Sequence, residues 1–225
     1  MIDLSRDGDI HVITMNHQQN QVGPDFLRAI HAALDEVETE ADGPGAIVLT
    51  GSGKFFNNGL DISVVMGLEG EDARGFGTEL FRLLNRLLSN RLPIVAALNG
   101  HAFAAGAMIA MACDYRVMRE DRGWICISEV DVGVPIAPPM MALLRAKLPA
   151  KTLRDAVLTG KRYDAHEAIA SGFVDASAPE AELLSDAKKL AAELATKERG
   201  IFGELKKTLW FDLARGFAPS EVEGS

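Results

Sequence analysis

Residues 94–113 read IVAALNGHAFAAGAMIAMAC, and this stretch decides the class of fold that the 225-residue chain forms. Its first five residues, Ile94–Leu98, are an unbroken apolar run, as in a strand that is covered on both faces. A turn interrupts the run, and small residues from about Ala105 to Cys113 favour a closely packed helix. A buried strand that leads into a buried helix predicts an α/β protein.

The same alternation of strand and helix extends upstream of this stretch. His11–Met15 and Ala46–Thr50 are strand candidates, and the second is a near-continuous apolar run closed by Gly51. Pro24 opens an amphipathic helix, and a second helix is expected over about residues 71–90. Apolar residues recur at helical spacing in both helices: Phe26, Leu27, Ile30, Ala33, Leu34 and Val37 in the first, and Leu80, Leu83, Leu84, Leu87 and Leu88 in the second.

Downstream of residue 113 the pattern changes from alternating to helical. Strands are predicted near Tyr115–Met118 and Trp124–Ile127, and after Pro138 the chain is expected to be helical throughout. We therefore predict an α/β core over residues 1–175 and a C-terminal helical region over residues 176–225, within one structural unit. The candidate helices after Pro138 are Pro139–Lys147, Lys151–Leu158, Ala165–Ser171, Glu180–Lys197 and Ile201–Arg215.

The composition indicates a protein with a large core and an acidic surface. Hydrophobic residues make up 48% of the chain and the net charge is −9, which argues against general binding to nucleic acid. No apolar run reaches the ~18 residues needed to span a bilayer, so no membrane partner is expected. The sequence shows neither a signal peptide nor a C-terminal Ser-Lys-Leu address, and we expect a cytoplasmic location.

No motif in the sequence indicates a metal site or a bound cofactor. Gly51-Ser52-Gly53-Lys54 lacks the upstream glycine and the following Ser or Thr of a phosphate-binding loop. No GxGxxG segment joins a strand to a helix, which leaves nicotinamide and flavin cofactors without support. The five histidines, Cys113 and Cys126 do not have the spacing of metal ligands. We therefore expect chemistry that side chains and backbone supply themselves.

Two Gly/Ala-rich segments are candidates for stabilising negative charge on a substrate oxygen. The first contains Asn58-Gly59-Leu60, and the second has Ala105-Gly106 at the start of the predicted helix. Backbone N–H groups at a tight turn and at a helix N-terminus can together hold an oxyanion, and small residues let a ligand approach the backbone. Packing of a helix against a sheet also explains such residues, so both interpretations stay open.

Glu129 is the candidate acid–base group. It follows the apolar run Trp124–Ile127, and burial among such residues raises the pKa of a carboxyl group toward the range useful for proton transfer. A glutamate that ends a strand is also often solvated or ion-paired, and that alternative remains. Asp131 lies two residues further on, but the chain is expected to turn toward Gly133, which makes Asp131 the less favoured base.

Taken together, these segments resemble the crotonase, or enoyl-CoA hydratase/isomerase, superfamily over roughly residues 5–200. Phe56–Asp61 matches the family pattern F-x-x-G-x-D, and Asn99–Gly106 resembles N-G-x-A-x-G-G-G. Gly160–Asp175 resembles the later pattern G-x-x-x-x-A-x-E-A-x-x-x-G-x-V. The resemblance implies a crotonase-type α/β spiral of ββα units. It also implies a C-terminal helical region used in oligomerisation, as a homotrimer or a dimer of trimers.

The resemblance further implies roles for individual residues. Leu60 and Ala105 would supply the two oxyanion N–H groups, and Glu129 would be the catalytic carboxylate. Ala104 and Ala105 stand where the family has glycines, so the oxyanion site requires a backbone there that avoids conformations reserved for glycine. The predicted contacts with the substrate are Asn58 at the adenine end of coenzyme A, and Gly59, Asp61, Ala104, Gly106 and Met108.

Met108 decides between the activities that the resemblance offers. Hydratases of this family hold water with two glutamates, one at this position and one that matches Glu129, and methionine cannot activate water. A single carboxylate suffices to move a proton from C2 to C4 of a 3-enoyl thioester. We therefore expect a cofactor-independent Δ3,Δ2-enoyl-CoA isomerase, with a coenzyme A thioester as substrate. Another crotonase-type reaction (thioester hydrolysis, decarboxylation or weak hydration) and non-catalytic acyl-CoA binding are the alternatives.

Overall fold

The computed structural model describes residues 1–40 and 43–218, whose strands form two sheets. The larger sheet is parallel except for its first strand, and the smaller sheet is parallel except for its last. In spatial order the larger sheet contains β1 (Ile2–Asp7), β2 (Ile10–Met15), β3 (Ala46–Gly51), β5 (Ile94–Leu98), β7 (Tyr115–Arg119) and β10 (Ala176–Ala178). The smaller sheet contains β4 (Phe55–Asn57), β6 (His101–Phe103), β8 (Ile125–Cys126) and β9 (Arg162–Tyr163).

Helices separate most of these strands along the chain. In chain order they are α1 (Pro24–Glu40), α2 (Ile62–Val65), α3 (Gly70–Ser89), α4 (Ala105–Ala112), α5 (Glu129–Val132), α6 (Pro138–Lys147), α7 (Ala150–Thr159), α8 (Ala165–Ser171), α9 (Glu180–Ala195), α10 (Arg199–Leu209) and α11 (Phe211–Gly216). Within the described ranges, no helix combines the length and the apolar character that crossing a membrane requires.

Successive pairs of strands repeat one arrangement. β3 leads into β4, β5 into β6 and β7 into β8, so the two sheets share the same strand order in this part of the chain. A helix follows each pair: α2 after β4, α4 after β6 and α5 after β8. This repetition confirms the expected α/β architecture of ββα units.

Both faces of the larger sheet are covered, as the apolar runs predicted. In β3, Ile47 and Leu49 pack in the core formed with α1, α3 and α4, whereas Ala46 and Val48 pack in the core formed with α9. The predicted leucines of α3 are all buried, and burying one leucine contributes about 1.5–3 kcal/mol. Helix α9 can approach the sheet closely because it turns small residues toward it: Ala187, Ala191 and Ala195.

Two parts of the sequence prediction were wrong. The chain after Pro138 is not helical throughout, because β9 joins the smaller sheet and β10 joins the larger one. These strands have only two and three residues, so neither shows a periodic pattern in the sequence. The predicted helix Ile201–Arg215 is divided at Trp210 into α10 and α11.

The C-terminal helical region predicted over residues 176–225 contains elements of two kinds. Residues 176–195 supply β10 and α9, which pack on the larger sheet of the same chain. Helix α10 instead exposes a stripe of three apolar side chains that are spaced four residues apart: Ile201, Leu205 and Leu209. The division at residue 175 and the use of this region in oligomers stay predictions, and residues 219–225 lie outside the described part of the chain.

A buried ion pair ties α10 to the larger sheet. Lys206 Nζ donates to Asp114 Oδ2 at 2.7 Å, and the same oxygen accepts from the Ile94 backbone N–H at 2.8 Å. The two side chains are 3% and 11% exposed, so both charges are largely removed from water. Asp114 precedes β7 and Ile94 begins β5, so the pair joins the helix to two neighbouring strands.

We predict that Lys206→Met destabilises the protein strongly. The substitution keeps the apolar stem but leaves Asp114 buried without its counter-ion, and breaking a buried pair in this way costs about 3–5 kcal/mol. The matched control is Lys207→Met, because the Lys207–Glu204 pair is exposed and such pairs contribute about 0–1 kcal/mol. Urea unfolding measures both variants, and equal losses would contradict the importance of the buried pair.

Candidate active site

The loop after β4 and the start of α4 lie in direct contact. Gly59 has φ of +77°, a conformation that L side chains rarely adopt. A Cβ atom at Gly59 would lie 3.2 Å from the Ala104 Cβ and from the Phe103 carbonyl oxygen, and 3.7 Å from the Ala105 nitrogen. Gly59 therefore lets the predicted segments Asn58–Leu60 and Ala104–Gly106 meet backbone to backbone.

Gly106 allows a second close approach, between the backbone of α4 and the backbone of Asn57. A Cβ atom at this position would overlap the carbonyl group of Asn57, so the first turn of α4 packs on the end of β4. Gly106 does not line the cavity described below, and neither do Asp61 or Met108. Met108 is fully buried in the core, while the Asp61 carboxylate accepts a hydrogen bond from the Ser63 hydroxyl. Substrate contacts by these three residues stay predictions.

Residues 19–22, which the sequence analysis did not single out, hold the loop around Leu60. The Val22 N–H donates to the Gly59 carbonyl at 2.8 Å, and the Asp61 N–H donates to the Val22 carbonyl at 2.9 Å. These bonds use the carbonyl before Leu60 and the N–H after it. The N–H of Leu60 itself therefore points away from Val22. In the described part of the chain, the N–H groups of Leu60 and Ala105 have no acceptor.

Ala104 adopts the backbone conformation that the sequence analysis required it to avoid. Its φ is +48° and its ψ is −118°, a region favoured by glycine, so the condition that the sequence analysis set for the oxyanion site is not met at Ala104. The proposed oxyanion N–H belongs to Ala105, which begins α4. Hydrogen bonds on both sides hold the strained residue in place. The Ala104 N–H donates to the Cys126 carbonyl at 3.0 Å, and its carbonyl accepts from the Met108 N–H at 3.1 Å. Such strain typically costs about 1–3 kcal/mol.

A cavity of about 520 Å³ brings most of the predicted site residues together. Leu60, Ala105 and Glu129, the three predicted catalytic residues, all line it. The predicted substrate contacts Asn58, Gly59 and Ala104 line it as well. Much of the remaining wall is apolar and comes from α2, α3 and the residues around α5 and α6: Ile62, Leu80, Phe81, Val132, Val134, Pro135, Ile136, Ala137 and Met140.

Glu129 is buried in this cavity, and one oxygen of its carboxylate lacks a partner among the described residues. Its side chain does not end a strand, because β8 stops at Cys126 and Glu129 is the first residue of the one-turn helix α5. The residue is 9% exposed, and among the described residues its Oε2 has no hydrogen-bond partner. Burial raises the pKa of the carboxyl group, and a hydrogen bond from its own backbone opposes the rise.

A second carboxylate, Asp131, lies at the rim of the same cavity. Unlike Glu129 it is exposed, and its side chain packs over Gly160. The chain turns at Gly133, where φ is +69°, as predicted. Gln21, Phe103 and Arg162 also line the cavity, and sequence reasoning missed all three. Arg162 lies inside the segment Gly160–Asp175 that carries the family resemblance, but no spacing rule pointed to this residue.

The sequence profile of the enoyl-CoA hydratase/isomerase family matches residues 5–216. The chain belongs to this family. Enoyl-CoA delta isomerase 3 of Arabidopsis thaliana is 32% identical over 96% of this chain and 94% of its own length. A putative enoyl-CoA hydratase of Thermus thermophilus is 37% identical over 84% of this chain and 75% of its own length. The family's relatives thus include proteins named for either activity.

The fold agrees with solved structures of the enoyl-CoA hydratase/isomerase family. The crystal structure of a probable enoyl-CoA hydratase from Mycobacterium tuberculosis superposes with a TM-score of 0.90 at 28% identity. The superposition covers 96% of this chain and 91% of that chain. The crotonase-type architecture expected from the sequence is therefore confirmed.

We predict that Ala104→Gly stabilises this family member by about 1 kcal/mol. Glycine relieves strain of about 1–3 kcal/mol, and its larger entropy in the unfolded chain returns about 0.4–1 kcal/mol. The control is Ala107→Gly in the interior of α4, which lowers stability by about 1 kcal/mol because the backbone there is helical. Urea unfolding measures both changes. If Ala104→Gly destabilises as much as the control, the backbone at Ala104 is not strained.

Proposed function

We propose that this protein is a cofactor-independent Δ3,Δ2-enoyl-CoA isomerase. One observation carries the proposal: the buried Glu129 carboxylate, one oxygen of which has no partner in the described ranges, lines the same cavity as the N–H groups of Leu60 and Ala105, which have no acceptor there. The relatives named as delta isomerases support it. Relatives named as hydratases leave the reaction within the family to be tested.

The proposed reaction needs one proton carrier and one oxyanion site. The thioester oxygen of a 3-enoyl-CoA accepts hydrogen bonds from the Leu60 and Ala105 N–H groups, and the dipole of α4, which begins at Ala105, adds positive potential. Glu129 removes a proton from C2, and the electron pair moves onto the oxygen to give a dienolate. The protonated Glu129 then returns a proton to C4, which leaves the double bond between C2 and C3.

The cavity wall suits this intermediate. Its apolar side chains can surround the acyl chain and exclude water, which would otherwise protonate or hydrate the dienolate. Asn58 lines the same cavity, and the family resemblance assigns it to the adenine end of coenzyme A. A homotrimer or dimer of trimers belongs to the same proposal, with the exposed stripe of α10 as the surface for subunit contacts.

Weak hydration is a second candidate, and Asp131 is the observation that favours it. Met108 occupies the position where family hydratases have a second glutamate, and its side chain is fully buried in the core. Asp131, however, brings a second carboxylate to the cavity, and this residue is exposed to solvent. Isomerisation remains the better-supported reaction because Asp131 is exposed, whereas Glu129 is the one carboxylate of the described residues with a buried oxygen that lacks a hydrogen-bond partner.

We predict that Glu129→Gln lowers the turnover of a 3-enoyl-CoA by at least about 100-fold, because the amide cannot accept the C2 proton. Asp131→Asn is the matched control and leaves isomerisation within a few-fold of the native rate. The ultraviolet absorbance of the conjugated 2-enoyl thioester measures isomerisation, and mass detection of added water measures hydration. Unchanged turnover in Glu129→Gln would remove Glu129 from the mechanism, and loss of isomerisation in Asp131→Asn would assign the proton transfer to Asp131 instead.

We also predict a pH-dependent difference in stability between the native protein and Glu129→Gln. The folded-state pKa of Glu129 lies above the ordinary value of 4.5, so the folded state binds this proton more tightly than the unfolded state. The contribution of Glu129 to stability is therefore fully present below pH 4.5 and is lost as the pH rises through the folded-state pKa. Urea unfolding from acid to neutral pH should show the native protein losing stability relative to the variant. A difference that does not change with pH would contradict the raised pKa.

A further inference from the structure

Four tilted rings form a group on the smaller sheet, and one of them, Phe103, lines the cavity. His101 lies between Phe55, Phe103 and Trp124, with ring centroids at 5.4, 5.1 and 4.9 Å. We call these four residues the ring platform. Phe55 and His101 are partners across β4 and β6, so the strand register itself aligns the platform.

Arg162 lies on this platform. Its guanidinium carbon is 5.6 Å from the centre of the Phe103 ring and 5.5 Å from the centre of the Trp124 ring. Arg162 is the register partner of Cys126, which is in turn the partner of Phe103, so the three residues form one row across the sheet. Rings that contact the flat face of a guanidinium hold it in place and leave the N–H groups at its edge available.

Within the described ranges, no protein group accepts a hydrogen bond from those N–H donors. The Arg162 side chain is exposed, and its guanidinium forms no ion pair with these residues. Lys161, the preceding residue, differs in this respect because its Nζ lies 2.8 Å from the Glu167 carboxylate. The chain thus fixes the position of the Arg162 cation with aromatic rings while leaving its charge without a counter-ion.

Cations lie on the platform side of Arg162, whereas the carboxylates of Glu129 and Asp131 line the cavity beside it, and the whole chain carries a net charge of −9. Burial and then the charges of Lys54, Arg162 and Arg122 lower the pKa of His101. Lys54 lies 5.6 Å from the centre of the Phe55 ring of the platform. A local positive field on an acidic protein attracts an anion to this face of the sheet.

Arg162 also lines the cavity that contains Glu129, Leu60 and Ala105. We infer that Arg162 binds an anionic oxygen group of the substrate, either a phosphate of the coenzyme or a carboxylate on the acyl group, at the mouth of this cavity. A planar guanidinium can donate two parallel hydrogen bonds to either group. The inference rests on the proposed function for the identity of the thioester, but it concerns binding and not proton transfer.

The test measures binding of unreactive thioesters by calorimetry, with three probes and three variants. The probes are octanoyl-CoA, octanoyl-pantetheine, which lacks the phosphates of the coenzyme, and the pantetheine monothioester of suberic acid, which adds a free carboxylate. The variants are Arg162→Gln, Arg162→Lys and the matched control Lys161→Gln, which removes the neighbouring charge. Loss of charge-assisted hydrogen bonds should weaken binding by about 10-fold to about 100-fold.

Two results would support the inference and identify the anion. If Arg162→Gln weakens octanoyl-CoA but not octanoyl-pantetheine, Arg162 binds a phosphate. If it weakens the suberic acid thioester but not octanoyl-pantetheine, Arg162 binds a carboxylate. In either case Arg162→Lys restores only part of the affinity, because lysine lacks the planar pair of donors.

Two other results would overturn the inference. Equal affinities of Arg162→Gln and the native protein for all three probes would show that Arg162 binds no anion. Equal losses in Arg162→Gln and Lys161→Gln would show that only net charge matters. The proposed function is judged separately: native protein that binds these thioesters but does not isomerise 3-enoyl-CoA contradicts the isomerase proposal and leaves the role of Arg162 intact.

Discussion

Two backbone segments, 58–60 and 104–106, press against each other with almost no side chain between them, and the remaining parts of the site depend on this contact. Gly59 faces the Ala104–Ala105 peptide, while Gly106 packs on Asn57 one layer below. Any larger side chain at either glycine would separate the segments, and the N–H groups of Leu60 and Ala105 would no longer line one cavity. The strained backbone of Ala104 is part of the same constraint, since its N–H is fixed by the Cys126 carbonyl.

The burial of Glu129 shows that the folding requirements and the chemistry of this site oppose each other. An ionised carboxylate with an unpartnered oxygen lowers the stability of the folded chain near neutral pH. The same desolvation brings its proton affinity closer to that of the group from which it must take a proton. The large apolar core, with both sheet faces covered, offsets this cost. The stability contributed by the core is therefore what allows Glu129 to remain buried in the folded state.

Much of this fold could be predicted from the sequence because its main elements are long and periodic or wholly apolar. The leucines of α3 and the run Ile94–Leu98 are examples, and both are buried as expected. Short strands such as β4, β6, β9 and β10 carry no such pattern, since two or three residues cannot show a period, and their pairing depends on distant partners. The predicted catalytic residues Leu60, Ala105 and Glu129 came together because motifs with fixed local spacing contain them. Gln21 and Arg162 could not be found in this way, because only tertiary packing brings them to the cavity.

The matching strand order of the two sheets has a mechanical consequence. Each of β3, β5 and β7 passes within a few residues into β4, β6 or β8, and each of the latter ends just before a segment that lines the cavity. A rotation of one sheet against the other would thus move the segments after β4, β6 and β8 together, because all three follow strands of the same sheet. Their mutual spacing is therefore set by the pairing of the strands, whereas the wall residues Leu80, Phe81 and Met140 come from α3 and α6, which lie outside the ββα units.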